Sequence, residues 1–254
     1  SQYSSELRIT SPGGETLDYQ AGLFAYYSSL DSYGKFRQSA TLTSITPALG
    51  PIFPNGTLNT DDNNYKTTSY AAFGQVVWNI NDKFSTTLGL RYTDDQREAS
   101  RTNDGWYANS YAPGRTDSSK DRFDYTAIAD YSWTDEFSTY AKVSTGFRSG
   151  GSSRNGVDFN KPFDSEDLTS GEVGWKSELM DQRVRFNGAA YYMRVSDIIL
   201  DYLPDPVDNP QLVESFNSGD ADVYGLEIDL QAAVTDQFMV GLSYSYLDYD
   251  FSNV

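Results

Sequence analysis

Alternating apolar and polar residues recur along this chain in paired segments, each pair closed by a very short acidic turn and set apart from the next by a long polar stretch. A period of two is what a β-strand imposes, because successive side chains point to opposite faces. In the run from Phe84 to Tyr92, Phe84, Thr86, Leu88, Leu90 and Tyr92 share one face, and Ser85, Thr87, Gly89 and Arg91 share the other. The same separation sets Phe123, Tyr125, Ala127, Ala129, Tyr131 and Trp133 against Asp124, Thr126, Ile128, Asp130 and Ser132. It sets Phe137, Thr139, Ala141, Val143 and Phe147 against Ser138, Lys142, Ser144 and Arg148, and Tyr224, Leu226, Ile228, Leu230 and Ala232 against Gly225, Glu227, Asp229 and Gln231. Between Tyr70 and Ile80 both faces carry apolar residues, so the orientation of that segment has to come from its neighbours. Alternation alone fits two architectures: a soluble β-sandwich, and a transmembrane β-barrel with one face toward lipid and the other toward water.

Aromatic placement favours the barrel. The chain has 20 Tyr, 14 Phe and 4 Trp, and Trp78, Phe84, Trp133, Phe137 and Phe238 sit at segment ends, where a barrel carries its interfacial girdles and a sandwich does not. No apolar run approaches the roughly 20 residues of a spanning helix. The absence of Cys suits passage through an oxidising periplasm. A net charge of −17 argues against nucleic acid as a partner and points instead to cations, cationic solutes or lipid-bound divalent ions, or simply to solubility. The opening Ser1-Gln2-Tyr3-Ser4-Ser5-Glu6 has neither a basic start nor an apolar stretch, so an export signal is expected to lie outside this sequence.

Short connections recur around Asp82, Asp135, Asp181 and Asp236, so one hairpin plus one long loop is the repeating unit. Short turns on one rim and long loops on the other are the asymmetry of an outer-membrane barrel, with the short side periplasmic. The pattern predicts about ten antiparallel strands near 3–10, 17–28, 67–80, 83–97, 121–134, 136–148, 165–180, 182–197, 212–235 and 237–250. The stretches 29–66, 98–120, 149–164 and 198–211 are then extracellular loops. The first holds Pro47, Pro51, Pro54 and Gly56 and the polar run from Asn59 to Asn64, and is expected to contain no central strand. No second soluble domain is discernible.

Five short motifs carry a resemblance to a known family: Tyr70-Ala71-Ala72-Phe73-Gly74-Gln75, Leu88-Gly89-Leu90-Arg91-Tyr92-Thr93, Gly146-Phe147-Arg148-Ser149-Gly150-Gly151, Glu172-Val173-Gly174-Trp175-Lys176 and the run from Gly219 to Glu227. In this order they resemble the barrel signatures of TonB-dependent outer-membrane receptors, and the likeness extends from about Tyr3 to Tyr249. Receptors of this kind close a 22-stranded barrel around an N-terminal plug. The resemblance therefore implies that residues 1–254 are a partial receptor barrel, with the plug and the remaining strands absent from this chain. It implies active uptake across the bacterial outer membrane. A scarce small-molecule cargo binds among loops and plug, and the TonB complex, driven by the proton gradient, pulls on the plug. Outer-membrane lipid and lipopolysaccharide would surround the wall.

Within that reading, Arg91, Lys142, Glu227 and Asp229 are expected to face the lumen, where they contact the plug or one another. Trp106, Tyr107 and Tyr111, beside Arg101 and Arg115, offer stacking surfaces and charge for a planar or sugar-like ligand. Arg148 and Arg154 flank the stretch Gly150-Gly151-Ser152-Ser153 and would serve an anionic ligand, while loop packing and lipopolysaccharide contact are the competing roles for all of these loop residues. The run from Asn59 to Asn64 and that from Asp201 to Asp208 offer oxygen ligands for Ca²⁺, but neither has a recognised metal spacing. No catalytic residue and no cofactor are expected, because outer-membrane hydrolases use His as general base and this chain has no His. That lack also argues against haem as cargo, although the plug or further strands would be free to supply a ligand. A ferric siderophore, cobalamin or an oligosaccharide remains open as the solute. The alternative function is a passive porin.

Overall fold

A computed structural model describes residues 1–37, 58–104, 113–153, 156, 158–205, 207 and 212–252. All regular elements among them are strands: β1 (Gln2–Thr10), β2 (Leu17–Arg37), β3 (Leu58–Asn79), β4 (Phe84–Asp104), β5 (Gly114–Thr134), β6 (Phe137–Arg148), β7 (Gly151–Ser152), β8 (Pro162–Phe163), β9 (Glu166–Leu179), β10 (Val184–Ser196), β11 (Ile199–Tyr202), β12 (Glu214–Asn217), β13 (Asp220–Thr235) and β14 (Phe238–Ser252). Ten of them form one antiparallel sheet in the order β1-β2-β3-β4-β5-β6-β9-β10-β13-β14. Each strand thus pairs with its neighbours in the chain, apart from the two small hairpin-like pairs, β7 with β8 and β11 with β12. Among the described residues the sheet does not close, and β1 and β14 are its edges. No helix among them is long and apolar enough to cross a membrane, which says nothing about crossing by strands.

Register decides which residues share a face. Leu23 lies opposite Leu7 and Ala72, Tyr92 opposite Ala72 and Phe123, and Leu226 opposite Ala190 and Tyr246, so one face is apolar from β1 to β14. That face is exposed. Leu88 and Leu90 of β4 are 58% and 54% accessible, whereas Thr87, Thr93 and Asp95 on the opposite face of the same strand are at most 9% accessible. A soluble sandwich does the reverse, since each exposed Leu forfeits about 1.5–3 kcal/mol of burial. Two aromatic rows border the apolar band: Trp78, Phe84, Trp133 and Phe137 near the short turns, and Tyr70, Tyr92, Phe123, Tyr192 and Tyr224 on the other side. From Phe84 to Tyr92 the strand runs roughly 26 Å at about 3.3 Å per residue, which at a tilt of about 40° crosses roughly 20 Å of the ~25 Å apolar band of a membrane barrel.

The turns at 80–83, 135–136, 180–183 and 236–237 all lie on one rim, joined there by the 11–16 connection between β1 and β2. Strand lengths depart from the sequence pattern on the opposite rim. β2, β4 and β5 have 21 residues each and β3 has 22, so 29–37, 58–66, 98–104 and 114–120 are strand and not loop. The run from Asn59 to Asn64 lies inside β3, a central strand paired on both sides. Beyond the aromatic row no face needs to be apolar, so alternation fades while the backbone ladder continues. A strand also sends alternate side chains to opposite faces, so Asp61 and Asp62 cannot converge on one Ca²⁺. The segment expected at 212–235 divides into β12 and β13 around Ser218 and Gly219, where Gly219 has φ of 55°.

Candidate functional site

The polar face is where charges and rings converge. Phe73, which the sequence left unoriented, points to this face together with Ala71 and Gln75, while Tyr70, Val76 and Trp78 point to the apolar one. Its ring lies over Gly22 of β2, which has no side chain to obstruct it. The Arg91 guanidinium sits 5.4 Å from the Phe24 ring centre and 5.8 Å from that of Phe73, and Arg8 approaches Phe73 from β1 at 5.8 Å. Arg91 Nε also donates to Thr93 Oγ1 at 3.0 Å. Two cations against two phenyl rings make a flat patch suited to stacking and to anionic groups.

A second group occupies the middle of the face. Tyr140 lies across Gly174, donates its hydroxyl to Glu172 at 2.6 Å, and carries Lys176 Nζ 5.6 Å above its ring. Lys142 is opposite Glu172 in register. Glu227 and Asp229 follow on β13, with Asp229 accepting from Ser243 Oγ at 2.9 Å and Gln231 Nε2 at 3.4 Å. Register therefore places Arg91, Lys142, Glu227 and Asp229 on one and the same face of the sheet.

At the long-strand rim the β6–β9 connection folds across the polar face. Phe159 is fully buried there, with the 2%-accessible Arg101 of β4 stacked 4.7 Å from its ring centre. Arg101 Nη2 donates to the Gly156 carbonyl at 3.0 Å, and Thr116 Oγ1 of β5 donates to the Phe159 carbonyl at 2.6 Å. On its other side the connection is tied to the β10–β13 one. The Asp164 amide donates to Asn217 Oδ1 at 2.6 Å, and the Ser215 amide donates to Ser153 Oγ at 2.7 Å. Arg148 tops β6 with its guanidinium 2.9 Å from Glu166 Oε2 and 3.3 Å from the Ile199 carbonyl. Arg115 lies opposite Ser100 in register and pairs with Glu98 at 3.1 Å, on the face opposite to that of Arg101. Trp106, Tyr107, Tyr111 and Arg154 lie outside the described residues. The Arg101–Phe159 contact escapes sequence periodicity, which shows the face of a residue but not what crosses it from a distant connection, and the Arg91–Phe73 contact escapes it because both faces of the segment around Phe73 carry apolar residues.

The family model described as TonB dependent receptor-like, beta-barrel matches residues 1–254. The chain belongs to the TonB-dependent receptor β-barrel family. It is 25% identical over 204 residues to the metal-pseudopaline receptor CntO of Pseudomonas aeruginosa, covering 78% of this chain and 27% of that protein. It is 26% identical over 162 residues to the pesticin receptor of Yersinia enterocolitica, covering 63% of this chain and 23% of that protein. The chain thus spans about a quarter of the length of these curated relatives. Its fold matches the ferric yersiniabactin uptake receptor FyuA from Yersinia pestis with a TM-score of 0.77 at 20% identity, covering 99% of this chain and 35% of that one. It also matches the siderophore receptor PiuA from Acinetobacter baumannii with a TM-score of 0.73 at 18% identity, covering 99% and 38%. The family is made up of transport receptors of the bacterial outer membrane. The ten-stranded sheet described here matches one arc of such a barrel wall.

Proposed function

We propose that the receptor to which this arc belongs takes up a scarce small molecule, such as a ferric siderophore, across the outer membrane with energy delivered by TonB. The single observation that carries the reading is the inverted burial of a sheet matched along its whole length to the receptor barrel family: apolar side chains outside, polar and charged ones inside. The apolar face meets lipid and, at the outer aromatic row, lipopolysaccharide. The polar face lines the lumen and presents Arg91, Lys142, Glu227 and Asp229 to a plug that engages TonB. The rim of short turns is periplasmic and the rim of long strands is extracellular. There Arg148 and Arg154 with Trp106, Tyr107 and Tyr111 contribute charge and stacking surface to cargo. No step of this activity is enzymatic.

The test is growth and uptake by cells carrying the complete receptor as their sole receptor for each radioiron-loaded siderophore of a panel. One siderophore is expected to support growth only in a strain with TonB. Uptake that is indifferent to TonB would indicate a passive porin.

A further inference from the structure

The wall is forked. β5 and β6 pair from the turn up to Thr126 and Ser144 and no further. Beyond that point β5 continues along β4 as far as Gly114, while β6 continues along β9 as far as Arg148. The gap is bridged by side chains in place of a backbone ladder. Thr145 Oγ1 accepts from the Tyr125 amide and donates to Asp124, each at 3.1 Å. Arg122 Nε lies 2.8 Å from Asp124, its guanidinium rests 5.9 Å from the Phe147 ring centre, and Nη1 reaches past that ring to the Asp167 carboxylate of β9. Lys120 Nζ stands 3.8 Å from the same carboxylate. The Arg122 and Asp124 side chains are only 15% and 14% accessible, while Lys120 and Asp167 on the outer side of the clasp are 32% and 42% accessible.

The fork begins beside Phe123 and Tyr125, at the outer aromatic row. That level suits it, since unpaired strand backbone is not tolerated in hydrocarbon. The strap formed by the β6–β9 connection is anchored on both arms, to Arg101 and Thr116 on one and to Asn217 and Ser215 on the other. Any change in the angle of the fork is therefore passed to the strap that crosses the polar face.

We propose that the fork is a hinge in the barrel wall, clasped by Arg122 between Asp124 and Asp167, through which the long-strand half β2–β5 moves relative to β6–β14 and carries the strap with it. Opening a continuous ladder would break many backbone bonds together. Opening this fork breaks one guanidinium clasp and a few side-chain bonds, so it is the place where the wall yields first.

Amide hydrogen exchange in the complete receptor tests the clasp. Arg122→Gln is expected to speed exchange of the Tyr125 amide, held across the fork by Thr145, by about tenfold or more while leaving 127–133 unchanged, with Arg122→Lys intermediate. Exchange at Tyr125 equal to that of the parent would overturn the clasp, as would equal acceleration at 127–133. The hinge has a second test, which rests on the uptake reading. Arg122→Cys with Asp167→Cys, bridged by a short bismaleimide, is expected to bind the radioiron-loaded siderophore of the panel that supports TonB-dependent growth as the unbridged double variant does, and to import it at least about tenfold more slowly. Equal import by bridged and unbridged receptors would overturn the hinge. Absence of import by the unbridged receptor and its parent alike would fault the uptake reading instead, and exchange would then decide the fork.

Discussion

At Gly22 a single added methyl would stand 2.6 Å from the Leu7 carbonyl oxygen and 2.6 Å from the Phe73 ring. The ring can shift; the strand backbone of β1 cannot do so without losing its register. Gly22→Ala is therefore expected to destabilise the barrel by about 1–3 kcal/mol, seen as a lower temperature at which the folded band gives way to the unfolded band on a gel. The opposite sign is expected at the turn between β9 and β10. There Met180, Asp181 and Gln182 have φ of 57°, 53° and 65°, a left-handed run that costs a residue with a side chain roughly 1–2 kcal/mol. Gln182→Gly is expected to raise stability by about 1 kcal/mol, read in the same assay, and a fall would show that the side chain contributes more than the strain removes. Residue by residue, the sequence was legible where alternation was clean, as from Phe84 to Tyr92. It was silent about Phe73, whose side is settled by the glycine it covers and the arginine it meets on neighbouring strands.

At the scale of the strand, the two faces ask for opposite chemistry. Leu90→Arg or Ile228→Arg is expected to cost assembly of the complete receptor about 2–4 kcal/mol where the site lies near the bilayer midplane, and Gln231→Arg on the other face much less. Folding titrations into lipid vesicles would measure both, and equal costs would mean that the faces are not lipid and water. Hairpin order and all four acidic turns could be read from sequence because a membrane enforces alternation between them. The ends of β2, β3, β4 and β5 could not, because a strand that leaves the membrane no longer needs an apolar side. The polar run from Asn59 to Asn64 is strand for that reason, held by ladders to β2 and β4. The Arg101–Phe159 contact was illegible for a different one: it joins a strand to a distant connection, and neither residue is distinguished by its neighbours in sequence.

For the whole molecule, the reading puts the two rims on opposite sides of the outer membrane. With no native Cys in this arc, single cysteines report on each rim. Leu203→Cys is expected to react with a membrane-impermeant maleimide on intact cells, and Asp236→Cys only after the outer membrane is breached. Labelling in the reverse order would invert the assignment of rims. The most direct measurement of the central claim is accumulation of the radioiron-loaded siderophore by cells carrying the complete receptor, compared with and without TonB and with and without the proton gradient. Accumulation against a concentration gradient is expected only when both are present; equal entry without TonB, rising in proportion to outside concentration, would mean passive diffusion instead.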